Sequence, residues 1–187
     1  PEETAAAFDD EGFYRSGDAA RWIDPAQPPR GLLFDGRTAE DFKLSSGTFV
    51  SVGPLRAKIT LLGDPCVQDA VITGLNRDEV GALLFPRADE CRRLACLPAA
   101  TPLPEVLHHP AVRAFFQQLA DRLWREATGS ASRVTRLHVL AEPPSIDGHE
   151  LTDKGYINQR AGLQRRAAWV ERLYADLPAD DVIVPGT

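Results

Sequence analysis

Between residues 51 and 177 the apolar positions of this 187-residue chain switch repeatedly between helical and strand spacing, which confines it to a sheet packed by helices. Leu55, Ile59 and Leu62 recur at helical spacing across 51–62, with Ser51 placed to cap the first free N–H groups. Residues 67–73 and 80–85 read as strands joined by a turn at Asn76-Arg77-Asp78. Pro110 opens a second helix, because its fixed φ and missing N–H suit a first helical position. Its apolar stripe is Val112, Phe115, Phe116, Leu119, Leu123 and Trp124. Residues 136–141 alternate as a third strand. A last helix is predicted over 159–177, capped by Asn158, with Leu163, Ala167, Val170, Tyr174 and Leu177 facing inward.

The expected fold is therefore α+β: a small domain of short strands packed by helices, occupying residues 38–187. Residues 1–37 differ. Turn-rich stretches (9–12, and 24–30 with Pro25, Pro28 and Pro29) surround strand-like runs at Phe13-Tyr14 and Leu32-Leu33-Phe34. They hold too little apolar sequence for a core and read as the β-rich tail of a larger N-terminal domain. The chain begins at Pro1 and contains no methionine, so it is expected to be a piece of a longer protein.

Composition removes several functions. Hydrophobic residues make up 43% and charged ones 26%, enough of each for a globular core and a solvated surface. A net charge of −6 supplies no basic field for a nucleic-acid backbone, so no nucleic-acid partner is expected. No apolar run approaches a bilayer span and no secretion signal is seen; no membrane partner and a cytoplasmic location are expected. Cys66, Cys91 and Cys96 are too few and irregular for a disulfide framework or zinc site, and read as reduced thiols. His108, His109, His138 and His149 lack metal-ligand spacing, and His138, within a strand pattern, reads as structural. GxSxG, HExxH, GxxxxGK[ST] and GxGxxG signatures are absent.

Three segments carry chemistry. Tyr14-Arg15-Ser16-Gly17-Asp18 ends a short strand on an acid, and a carboxylate there can accept both hydrogen bonds of a ribose diol. The stretch 35–47 joins an apolar strand through Arg37, a planar donor for phosphate or ribose oxygens, to a small-residue loop at Ser45, Ser46 and Gly47. Leu151-Thr152-Asp153-Lys154-Gly155 places a mobile point charge on a loop before the last helix. Singly, each also reads as an ordinary turn.

In this order, however, YRSGD, then GRTAEDFKLSSGTFVSVGPLR, then LTDKGYINQR resembles the C-terminal portion of the acyl-adenylate-forming (AMP-binding) superfamily, and within it the feruloyl-CoA synthase group. The resemblance runs over about 8–173. It implies an acyl-CoA ligase: a carboxylic acid such as ferulate attacks ATP, giving acyl-AMP and pyrophosphate, and coenzyme A then displaces AMP. ATP with magnesium and coenzyme A are the implied cofactor and co-substrate, and the chain's own N-terminal domain is the implied partner. Asp18 matches the acid on the ribose hydroxyls, and Arg37 the hinge-side arginine that contacts ribose or phosphate. Lys154 matches the catalytic lysine bridging carboxylate and α-phosphate. Lys43, Ser45 and Gly47 match the coenzyme A tunnel, and Ala39 the hinge.

Two departures stand out. Ala39 replaces the usual Asp or Lys of the hinge, and the Gly47 loop is one residue longer than in many relatives. The phosphate-gripping loop and acyl pocket belong to the N-terminal domain and are not found here, so the isolated chain is expected to be inactive. The alternatives are the lid of a carboxylic acid reductase or carrier-loading enzyme, or a non-catalytic interaction module. The two-part organisation is testable by limited proteolysis. Cleavage is expected near residue 38 or within 24–30 before the helices are attacked; equal resistance along the chain would count against it.

Overall fold

The computed structural model describes residues 7–186. In order the elements are β1 (Asp18–Trp22), β2 (Leu32–Arg37), β3 (Phe42–Lys43), β4 (Phe49–Val50), α1 (Val52–Leu62), β5 (Val67–Thr73), β6 (Val80–Pro86), α2 (Ala88–Leu94), α3 (Leu103–His108), α4 (Pro110–Arg125), β7 (Val134–Val139), α5 (Gln159–Arg165), α6 (Ala167–Leu173) and β8 (Val182–Ile183). Single 3-10 turns lie at Pro28–Arg30 and Ser130–Ser132. β1 pairs with β2 and β3 with β4 as separate hairpins, while the central sheet has the order β5-β6-β7-β8. Within it β6 and β7 run parallel and the other neighbours antiparallel.

Both faces of this sheet are covered, which is why β6 is a continuous apolar run rather than an alternating one. On one face Ile72, Ala82, Leu84 and Leu137 pack with Leu55 and Ile59 of α1 and with Val112, Phe116, Leu119 and Leu123 of α4. On the other, Val71, Leu83 and Phe85 meet Leu173, with Leu163, Trp169 and Val170 packed around them. The α+β expectation holds, with six helices around short sheets.

Several local expectations change. α1 is capped by Asp41, whose Oδ1 accepts from Val52 N at 2.8 Å, whereas Ser51 makes no side-chain cap bond. The third strand runs 134–139 instead of 136–141, although Leu140 N still donates to Leu84 O at 2.9 Å. Tyr14 makes one isolated bridge to Phe8 rather than a strand. Neither α2 nor α3 has a spacing signal; both are short, and α3 has proline in its first turn.

The last helix shows the largest difference. It divides at Arg166 and ends at Leu173, leaving Ala167 exposed and Leu177 86% exposed. Arg166 sits at the break with its guanidinium turned inward. Nε donates to Glu150 Oε1 at 2.9 Å and Nη2 to Glu150 Oε2 at 3.0 Å. Pro143 O accepts from Nη2 at 3.0 Å and Glu142 Oε2 from Nη1 at 2.7 Å. Glu150 is fully buried and Arg166 is 3% exposed. Asn158 does cap α5, accepting from Ala161 N at 3.2 Å.

The β1–β2 hairpin meets the rest through glycine. A Cβ on Gly53 of α1 would lie 2.6 Å from Gly36 Cα, and Gly36 itself has a φ of +102°. Only two glycines allow that approach.

The Glu150–Arg166 pair gives a measurable expectation. Burial alone would push the Glu150 carboxyl up, but hydrogen bonds from Arg166 and Ser145 N–H, with the charges of Arg166 and Arg165, hold it below its ordinary 4.5. A carboxyl depressed on folding stabilises above its unfolded value and loses that contribution as pH falls through its folded value. Glu150→Leu is expected to cost about 3–5 kcal/mol, because it strands a buried guanidinium. Denaturant unfolding of wild type should also weaken as pH drops below about 4.5, and the variant should show a shallower loss over that interval.

Candidate functional site

Lys154 stands at the tip of a tight hairpin. Its arms are closed by the Leu151↔Ile157 bridge, by Asn158 N donating to Glu150 O at 2.8 Å and by Thr152 N donating to Tyr156 O at 2.8 Å. At the tip Gly155 N donates to Thr152 O at 2.8 Å, and Gly155 takes a φ of +78°, a left-handed conformation suited to glycine. Tyr156 N adds a bond to Thr152 Oγ1 at 3.2 Å. Residues 152–156 are all exposed, and Lys154 makes no ion pair among the described residues.

The base of the hairpin is held on both sides. On the entry side is Glu150, fixed by Arg166. On the exit side Arg56 Nη1 donates to Ile157 O at 3.0 Å, and Ile157 N donates to Asp69 Oδ2 at 3.3 Å. Arg56 and Asp69 themselves form a bidentate pair, Nε–Oδ1 2.5 Å and Nη2–Oδ2 2.6 Å. Next along the chain, Gln159 caps the open edge of β5. Ile72 N donates to Gln159 Oε1 at 3.0 Å, and Gln159 Nε2 donates back to Ile72 O at 2.5 Å.

Lys154 and Arg37 share one groove, of about 940 Å³, between β2, α1, the start of β5 and the hairpin. Two of its other cations are occupied: Arg56 by Asp69, and Arg87 by Asp64 at 3.1 Å. Glu40 lies in the same groove, its carboxyl pushed up by burial against the pull of Arg56 and Arg37. Asp18 pairs with Arg37 in the β1–β2 register, Arg37 Nε lying 4.0 Å from Asp18 Oδ1 with both side chains open to solvent. The arrangement offers an anion one free ammonium and one lightly held guanidinium, with a carboxylate beside them able to accept from hydroxyls.

Lys43, Ser45 and Gly47 lie elsewhere, on the β3–β4 hairpin, and none lines the groove. Gly47 N donates to Leu44 O at 2.9 Å with a φ of +82°. The Ser45 hydroxyl is committed to Asp78 Oδ1, and Ser45 N donates to Arg77 O at 2.8 Å, so this loop is tied to the β5–β6 turn. The Lys43 side chain is exposed. Ala39 occupies the exposed turn between the two groups, where Glu40 N donates to Arg37 O at 3.0 Å. The structure thus brings Arg37 and Lys154 to one groove, leaves Asp18 outside its lining but paired with Arg37 across the strands, and separates all three from Lys43, Ser45 and Gly47.

His138, Cys66 and Cys91 are packed into the fold, while Cys96 is exposed. His138 is 4% exposed, stacks on Trp169 with centroids 4.3 Å apart, and shares a hydrogen bond through Nδ1 with Asp181 O at 3.1 Å. Burial holds its pKa below the usual value despite Asp181. Cys66 and Cys91 are buried, and burial pushes the Cys91 thiol up to about 12, far from nucleophilic. No group of three or more His, Cys, Asp or Glu side chains placed to hold a metal ion occurs among the described residues. Arg56, Asp69, Glu150, Gln159 and Arg166 went unrecognised in the sequence. The one visible signal was Asp69, the single charged residue of β5.

Comparison with known proteins bears on this geometry. The family described as AMP-binding enzyme C-terminal domain matches residues 42–178. The chain is 26% identical over 182 residues to a carboxylic acid reductase of Segniliparus rugosus, covering 95% of this chain and 14% of that protein. It is 21% identical over 182 residues to the chloroplastic long-chain-fatty-acid–[acyl-carrier-protein] ligase AEE15 of Arabidopsis thaliana, covering 94% of this chain and 23% of that one. Among solved structures, the A-PCP didomain of carboxylic acid reductase from Segniliparus rugosus in complex with AMP matches with a TM-score of 0.66 at 25% identity, over 94% of this chain and 22% of that chain. The chain therefore spans less than a quarter of each of these relatives.

Proposed function

Because the chain belongs to the AMP-binding enzyme C-terminal domain family, within the acyl-adenylate-forming superfamily, we propose that it is the moving lid of an ATP-dependent acid–thiol ligase with Lys154 as its catalytic residue. The observation that carries this reading is the placement of Lys154 at an exposed hairpin tip, in the groove that also holds Arg37, with Asp18 paired to Arg37. In the first half-reaction a carboxylate oxygen attacks the α-phosphorus of ATP, and pyrophosphate leaves. Two anions must approach, and the Lys154 ammonium between them offsets their repulsion and the charge that grows on phosphorus. Arg37 and Asp18 hold the ribose and phosphate of the nucleotide.

In the second half-reaction a pantetheine thiol attacks the acyl carbonyl and AMP leaves, a proton being lost from sulfur. Lys43, Ser45 and Gly47 sit on a different hairpin from Lys154, an arrangement that suits a lid presenting one group for each step. The turn at Ala39 is the hinge of that rotation. Resemblance of residues 36–56 to the feruloyl-CoA synthase group favours an aromatic acid such as ferulate, with free coenzyme A as acceptor. A carrier-borne pantetheine is the second reading, favoured by the similarity to a carboxylic acid reductase and an acyl-carrier-protein ligase.

Single-turnover assays of the full-length enzyme test the proposal. Lys154→Ala is expected to slow acyl-adenylate formation by about 10²–10³-fold, the range for losing one electrostatic donor. Given preformed acyl-AMP, the same variant should form thioester at nearly the normal rate. Equal slowing of both steps would remove Lys154 from the chemistry. Thioester formation with coenzyme A alone, against a requirement for a phosphopantetheinylated carrier protein, decides between the acceptors.

A further inference from the structure

The exposed tip of the Lys154 hairpin has no packing to aim it. Residues 152–156 are all exposed, so the direction of the lysine is set at the base, where Ile157 is 2% exposed. There, both main-chain polar groups of Ile157 are gripped by one ion pair: Arg56 donates to its carbonyl and Asp69 accepts from its N–H. We infer that Arg56 and Asp69 are positioning residues for Lys154, a clamp that fixes the hairpin at the angle needed for adenylation; this rests on the role assigned to Lys154 above.

Three features distinguish the clamp from a simple tie between α1 and β5. Those elements are already joined by apolar packing of Leu55 and Ile59 with Val67 and Ala70, so the pair is not needed to hold them together. A register shift in β5 between Val67 and Asp69 interrupts the strand where Asp69 must turn towards the hairpin. Finally, the guanidinium divides its donors, Nε and Nη2 to Asp69 and Nη1 to Ile157 O. A lysine ammonium, lacking the planar fork, cannot reproduce that geometry. With side chains only 15% and 13% exposed, the pair is shielded from salt and held by rigid elements.

The test uses Arg56→Lys, which keeps the charge and loses the fork, and Asp69→Asn. In this chain, amide exchange should show lost protection at Ile157 and Thr152, with β6 amides unchanged; unaltered hairpin protection would overturn the clamp. In the full-length enzyme, Arg56→Lys is expected to slow acyl-adenylate formation by about 10–100-fold, as misplacement by about an ångström does. The KM for ATP and thioester formation from preformed acyl-AMP should stay unchanged. Because the clamp acts through Lys154, Arg56→Lys should cost nothing further in a Lys154→Ala background. Additive losses, or equal losses in both half-reactions, would overturn the inference. If Lys154→Ala alone leaves adenylation intact, the functional reading fails instead, and the exchange data still decide whether the clamp exists.

Discussion

The carboxylate of Glu150 and the guanidinium of Arg166 meet where water does not reach, and three parts of the chain converge on that contact. The loop at 142–145 enters through Pro143 O, Glu142 and the N–H of Ser145. The hairpin begins at Glu150 itself, and the junction of α5 and α6 is Arg166. Removing two charges from water is costly, and only complete hydrogen bonding makes such a pair tolerable. Here the bonding is complete, with no buried side-chain nitrogen or oxygen left without a partner among the described residues. The helix break and the hairpin's point of departure thus meet at one ion pair.

Beyond that pair, the lysine-bearing segment is attached by polar contacts to elements formed by apolar ones. Arg56 and Asp69 lie on α1 and β5, which the core fixes, and Gln159 imitates a neighbouring strand along the outer edge of β5. An open strand edge invites pairing with another chain. The same glutamine that orders the start of α5 therefore also closes that edge at Ile72. The opposite edge of the sheet ends in a strand of two residues, another common way of limiting unwanted pairing.

How much of this was legible depended on the range of the interaction. Helices α1 and α4 follow from a spacing of 3.6, and strands β5 and β6 from short apolar-rich runs bounded by a turn, because burial is written locally. Asp18, Arg37 and Lys154 were found as motif residues, and the structure adds that Arg37 and Lys154 share a groove while Asp18 faces Arg37 across a strand pair. What escaped was long-range polar pairing. Nothing near Arg166 announces a partner sixteen residues upstream, and nothing near Ile157 announces Arg56, 101 residues away. The helix pattern over 159–177 was real but incomplete: it divides at a buried arginine and stops at Leu173. Asp41 displaced Ser51 as a cap for the same reason, since a short hairpin brought a better acceptor to the helix end.

One contact bears on the rotation proposed above. The β1–β2 hairpin touches α1 at Gly36 and Gly53, backbone against backbone. Interlocked side chains would have to back out of one another's grooves before two surfaces could slide. At Gly36 and Gly53 themselves no side chain interlocks. Main chain against main chain gives a seat defined by distance alone, with no Cβ from either glycine in it.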